Sequence, residues 1–464
     1  MVFSSLPFLY YFLPVLLLCY FIIPDRAKNY VLLLFSLIFY TVGEPTYIVL
    51  MLFSIAQAYV FALLVSGSEK TGTRRLFLII TLLLELLPLL ICKYSGFIVS
   101  NLNLAAGLSI PIPSIRLPVG ISFYTFQLIG YSVDVYRKRC AAQKNPLTLA
   151  LYVSLFPQLI AGPIVRYSDV CEQLSDRVHS IGKFSDGIVR FTVGMSKKVL
   201  IANTLGELCK NLGGSVLGTW GYAVAASLQI YYDFSGYSDM AIGLGRMFGF
   251  DFPENFNYPY ISGSVSEFWR RWHMTLGSWF RDYVYIPMGG NRVSKPRWIL
   301  NILTVWMLTG LWHGAEWTFV IWGLYFAVFL VLEKLLSPIT SRLPAAIRHV
   351  GVLFIVMVSF MIFDAGTITE AVSKIGTLFG IGTADAVDPT SAYYLKSYAA
   401  TLLIAAIGST PLPKILYDKL LSAHSAGVRV GGYVFSTIIV MSALVISTAY
   451  LVDGSYNPFL YFRF

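Results

Sequence analysis

The chain is poor in charge. Only 12% of its 464 residues are Asp, Glu, Lys or Arg, where a water-soluble protein carries roughly a quarter, so it cannot cover a water-facing surface. Its five cysteines (Cys19, Cys92, Cys140, Cys171 and Cys209) show no C-x-x-C spacing, which excludes a disulfide framework and a thiolate zinc site. There is no G-x-S-x-G nucleophile elbow and no P-loop. Gly243-x-Gly245 follows no strand and its third glycine is misplaced, so it is not a dinucleotide fingerprint. No basic run with interleaved aromatics lies outside the apolar segments, and no nucleic-acid partner is expected. The chain also lacks a fixed-period repeat and a low-complexity linker, and its first apolar run, with no basic n-region before it, is expected to be a span and not a signal peptide.

Apolar residues fill the space instead. The chain is 56% hydrophobic and 16% aromatic, with mean hydropathy +0.69. Apolar runs recur from end to end, which predicts an all-α polytopic membrane protein, a single bundle over residues 1–464 with about ten to twelve helices. The first runs are Val2 to Ile23, Tyr30 to Val42, Thr46 to Val65, Leu76 to Cys92 (with Glu85 inside it) and Leu117 to Tyr136. Lys and Arg follow runs one, three and five, which places those loops in the cytoplasm and the N-terminus outside. The net charge of +10 has the same explanation. Leu147 to Val165 holds Pro157 and Ala161-Gly162-Pro163 and reads as a re-entrant dip. Ile181 to Leu205 repeats apolar residues at three- and four-residue steps among Arg190, Lys197 and Lys198, as an interfacial helix would. Later runs are Val216 to Tyr232, Trp317 to Leu332, Val350 to Phe363, Tyr398 to Ile407 and Tyr433 to Val452, the last leaving the C-terminus outside.

Three stretches could carry chemistry. From Val265 to Tyr283 the aromatic residues keep a 3.6-residue period, and Ser264 with Glu267 matches a capping box, so one amphipathic helix is expected. His273 then sits on the flank of the stripe beside Trp269 and Phe280. Such a histidine could as well meet lipid headgroups. Trp298 to Leu332 is too long for one span and breaks at Trp312-His313-Gly314-Ala315-Glu316. The part from Ile299 to Trp312 reaches only about 21 Å, which puts His313 at depth, where an ionisable group is a functional candidate or a polar residue joining two helices. A histidine base is suited to neutral pH, and burial favours its neutral, accepting form. Glu316, one turn on, could orient it or face a loop. Third, Asp233, Ser235, Ser238 and Asp239 follow an apolar run and would line a polar path. His179, His349 and His424 read as surface residues.

Four segments, FPQLIAGPIVRYSD (156–169), YYDFSGYSDMAIGLGRMFGF (231–250), PENFNYPYISGSVSEFWRRWHMTLGSWFRDYVYIPMGGNR (253–292) and TGLWHGAEWTFVIWG (309–323), closely resemble the membrane-bound O-acyltransferase family. Within it the chain looks most like the branch that serves bacterial alginate O-acetylation. The opening VFSSLPFLYYFLPV and the ending NPFLYFRF share that likeness, which is weakest from Asp364 to Ser397. The resemblance implies a basin-like helical bundle with re-entrant and interfacial helices around a central tunnel, core motifs at 156–323, and a bacterial cytoplasmic-membrane location. It implies His313 as the essential histidine and His273 as the second. Trp312, Asp233, Ser235, Tyr237, Asp239, Trp269, Trp272 and Asn255 are expected along the tunnel. The donor would be a cytoplasmic acyl thioester such as acetyl-CoA, already activated, so no bound metal or nucleotide is required. The partner would be an extracytoplasmic acetyltransferase or acceptor protein that modifies an exported polysaccharide, with membrane lipids around the bundle. Glu316 departs from the family pattern, in which a small or neutral residue is usual. Competing readings are D-alanyl transfer from a carrier protein to teichoic acid, a transporter or flippase using Asp233 and Asp239, and a non-catalytic assembly subunit.

Overall fold

The computed structural model describes residues 2–382, 385–422 and 426–454. Helix makes up 76% of the structure and no strand occurs among the described residues. The protein is an all-α polytopic membrane protein. Among the described residues, five helical stretches are long and apolar enough to cross a membrane: Ile48–Gly67, Thr71–Ala106, Trp317–Leu335, Ala345–Asp364 and Val430–Val452. A sixth follows if Ala399–Gly408 and Leu412–Leu420, bent by 68°, count as one span. Fewer helices meet that standard than the expected ten to twelve because several apolar runs are broken. The first run yields only Phe8–Ile22, with Pro7 before it. The proposed dip at 147–165 resolves into the short helices Pro146–Ser154 and Phe156–Leu159. His424 and the ending NPFLYFRF lie outside the described residues.

Two compact units divide the chain: Met1–Ile188 with Ala241–Pro253, and Val189–Met240 with Glu254–Phe464. In the first, α1 (Ile48–Gly67), α2 (Thr71–Leu89) and α3 (Ile121–Tyr136) pack together. The buried Glu85 carboxylate of α2 accepts from Ser132 Oγ of α3 at 2.9 Å. Thr81 Oγ1 lies 3.4 Å from the same carboxylate and 3.1 Å from Gln57 Oε1 of α1. A buried acid in an apolar helix is tolerable because neighbouring hydroxyls replace its water. His179 is half-buried, its Nε2 3.3 Å from Tyr20 Oη, and not a bare surface residue.

In the second unit the expected interfacial helix is α4 (Ile181–Ser196) from Val189 onward, and it runs into a π-turn at Lys197–Ala202. That turn delivers adjacent lysines to α5 (Val216–Met247), Lys197 to Asp239 and Lys198 to Asp233. The 265–283 stretch forms two short helices, α6 (Val265–Arg271) and α7 (Met274–Phe280). The hairpin α8 (Lys295–His313) and α9 (Trp317–Leu335) follows, then α10 (Ala345–Asp364) and α11 (Ala426–Val452). Trp322, Phe326, Val358, Met361 and Ile362 of α9 and α10 share one buried cluster. His349 Nδ1 lies 3.0 Å from Ser262 O, so this histidine too is a packing residue more than a surface one.

Candidate active site

The start of α6 follows the sequence closely. Ser264 Oγ accepts from Glu267 N at 3.0 Å, and the Glu267 carboxylate accepts from Gly263 N at 2.9 Å. Glu333 of α9 accepts from Val265 N at 2.6 Å and seats the helix start on the hairpin. The continuous helix expected through His273 does not form. Trp272 is extended and His273 is left-handed (φ 44, ψ 52), so α6 and α7 are separate. Asn255 is the physical reason. Its carbonyl accepts from Met274 N at 3.0 Å, and its Oδ1 accepts from Thr275 Oγ1 at 2.8 Å and Thr275 N at 3.3 Å. His273 Nδ1 lies 3.0 Å from the same Oδ1. Three contacts to one oxygen hold the imidazole off the helix flank. Its neighbours are therefore Phe234, edge-on at 4.7 Å, and Trp312 at 5.8 Å, instead of Trp269 and Phe280.

His273 is 1% exposed and outside the candidate spans. Burial pushes its pKa down to about 3. The ring is neutral, and with Nδ1–H donated to Asn255 the lone pair sits on Nε2.

His313 ends α8, which starts a turn earlier than the apolar pattern alone suggested, at Lys295. The hairpin puts it where it is. A Cβ on Gly310 would come within 2.2 Å of Phe319 O, and one on Gly323 within 2.2 Å of Trp306 O. Only glycines let α8 and α9 touch backbone to backbone here. The result buries His313 to 8% exposure among Trp312 (4.8 Å), Trp322 (5.1 Å) and Phe363 (5.3 Å). The indole of Trp312 thus neighbours both imidazoles. The Glu316 side chain is exposed and makes no hydrogen bond or ion pair among the described residues, so it does not orient His313.

The remaining expected residues divide into two groups. Trp269 packs on Trp306 (4.6 Å), Phe326 (4.8 Å) and Trp322 (5.7 Å), in contact with the His313 cage. Trp272 lies in an aromatic core with Phe256, Phe268 and Phe360, against which Trp269 also packs. Ser235 and Tyr237 are buried on α5. Asp233 meets Lys198 at 2.5 Å, and Asp239 meets Lys197 and Arg190, both at 2.6 Å. Arg190 also holds Glu254 at 2.6 Å. Sequence reasoning missed these counter-ions, as well as Phe234, Thr275, Trp322 and Phe363. Lys197 and Lys198 were visible as a pair, and Trp322 lay inside a quoted motif. Phe363 is 50 residues from His313 and carried no local signal.

Comparison with known proteins gives the family. The sequence profile of the membrane-bound O-acyltransferase family matches residues 142–366. The chain is 37% identical to a probable alginate O-acetylase of Azotobacter vinelandii over the whole of both chains. It is 33% identical to a peptidoglycan O-acetyltransferase of Helicobacter pylori, over 82% of this chain and 80% of that one. Likeness to a teichoic acid D-alanyltransferase of Bacillus subtilis is 32%, over 46% of this chain and 58% of that one. The protein is an all-α membrane enzyme that transfers an acyl group to oxygen. The chain belongs to the membrane-bound O-acyltransferase family.

Proposed function

We propose that the whole chain works as one unit in a bacterial cytoplasmic membrane, moving an acetyl group from a cytoplasmic thioester, acetyl-CoA, toward an exported polysaccharide. The names and full coverage of the alginate O-acetylase relatives support this reading. A tunnel between donor and acceptor sides, and an extracytoplasmic protein that receives or places the acetyl group, belong to the same proposal. The observation that carries it is Trp312 standing against both His273 and His313 in one buried aromatic site.

In this scheme His313 takes the proton of the acceptor hydroxyl as its oxygen attacks the thioester carbonyl carbon. The C–S bond breaks, and the departing thiolate receives the proton back. His273 and Trp312 hold the thioester. A dry aromatic site keeps water from competing for the acyl group. Replacing His313→Ala should leave the protein folded in membranes and reduce transfer from labelled acetyl-CoA by at least roughly 100-fold. Wild-type turnover in that variant refutes the role.

D-alanyl transfer is the second reading, and it rests on a relative matched over less than half of this chain. The transporter reading needed Asp233 and Asp239 to line a path, whereas their charge is met by Lys198, Lys197 and Arg190.

A further inference from the structure

The cage around His313 contains buried donors that nothing among the described residues satisfies. Trp322 is 2% exposed, and its Nε1–H is buried without a hydrogen-bond acceptor. Trp269 Nε1–H, on the ring packed against Trp322 at 5.7 Å, is in the same condition. So is the hydroxyl of Thr318, 3% exposed and one turn before Trp322 on the same face of α9. Buried polar groups are normally paired, and an orphan asks for an explanation. Hydrocarbon packing does not supply one. Trp322 packs on Phe326 (5.5 Å) and Phe363 (5.2 Å), contacts that a phenyl ring could make without an N–H.

The ring of Trp322 lies 5.1 Å from that of His313, edge to face. The two rings are in contact, so a substrate seated against His313 lies beside this indole. The substrate atom that meets it must be a hydrogen-bond acceptor, because each orphaned indole can only donate.

We propose that Trp322 is a further catalytic residue, whose Nε1–H donates to the carbonyl oxygen of the acyl thioester. The assignment rests on the acyl-transfer reading above. When the acceptor oxygen bonds to the carbonyl carbon, the carbonyl π pair moves onto its oxygen. The indole N–H strengthens its hydrogen bond to that oxyanion. Collapse returns the pair to the carbonyl and expels the thiolate, which takes the proton held by His313. The indole gains and loses no proton. The donor is held unpaired in a buried, water-poor setting, the condition under which such hydrogen bonds contribute most to rate. Trp269 supplies a second donor to the same cage.

Inverted membrane vesicles carrying the full chain, with radiolabelled acetyl-CoA as probe, test the assignment through kcat and KM separately. Trp322→Phe should lower kcat by roughly 100- to 1000-fold, the usual loss on removing one oxyanion donor, with KM changed by less than about threefold. A purely structural indole predicts the reverse, lower folded yield or raised KM with kcat retained, and that result overturns the proposal. If Trp322→Phe does not fold, 3-benzothienylalanine at position 322 decides. It keeps the ring shape and lacks the N–H, so full activity overturns the proposal and loss of kcat supports it. Wild-type vesicles that transfer no label would overturn the acyl-transfer reading and this assignment with it. Wild-type transfer with an undiminished Trp322 variant overturns this assignment alone.

Discussion

Asn255 Oδ1 receives Thr275 N, Thr275 Oγ1 and His273 Nδ1, and that one oxygen sets the tautomer of the second histidine. Burial does the rest, holding the ring neutral down to a pKa of about 3. In the unfolded chain the same imidazole titrates near 6.5. Between those values the unfolded state binds the proton and the folded state does not, so stability rises with pH. Above pH 6.5 the group contributes no pH dependence, and from there it loses stability steadily as pH falls toward 3. The midpoint of thermal unfolding in detergent should drop more between pH 7 and pH 4.5 for the wild type than for His273→Gln. Equal drops in the two proteins would show that His273 is not held neutral. The same residue scale holds the buried charges. Asp233 and Asp239 belong in the interior because Lys198, Lys197 and Arg190 accompany them, and removing one partner of such a pair costs far more than the pair is worth.

The decisive contact at the level of elements is the α8–α9 hairpin. Its two helices approach so closely at Gly310 and Gly323 that an added methyl would meet backbone and not a yielding side chain. Gly323→Leu should separate them, withdraw Trp322 from His313 and cut acyl transfer by at least roughly tenfold, with a lowered melting temperature. Gly67→Leu is the matched control, since nothing lies within 4 Å of its Cβ position. Equal activity in the two variants would remove the hairpin contact from the account. The periodicity of 265–283 predicted the helical residues, the capping box and the aromatic stripe. It could not predict the break at Trp272-His273, because the cause is Asn255, a residue 18 positions upstream whose side chain outcompetes helix continuation. A left-handed histidine has no sequence signature of its own.

For the molecule as a whole, the basic loops after the first, third and fifth apolar runs predict an orientation with those loops in the cytoplasm. A cysteine introduced at Ser68 should react with a membrane-impermeant maleimide in inverted vesicles and not in intact cells. The opposite pattern would reverse the assignment of donor and acceptor sides. α11 is the most lipid-like of the spans, with 6% of its apolar window buried, against 39% for α9 and α10. Packing within the protein therefore stabilises densely buried helices such as α3 and α5, while α11 takes its solvation from lipid.

Composition and hydropathy alone determined that the protein is helical and membrane-embedded, because the bilayer requires apolar runs of a set length. Residue identity within the motifs was enough to single out His273 and His313, and the polar interruption at 312–316 was legible because it breaks an apolar run. Only the tertiary structure decided that Trp312 meets both imidazoles, that Asn255 turns His273 away from its helix, and that Trp322 and Phe363 close around His313. Those contacts join positions up to 50 residues apart, and they depend on two glycines letting helices touch. No local pattern encodes them, since each becomes a neighbour only after packing has removed the alternatives.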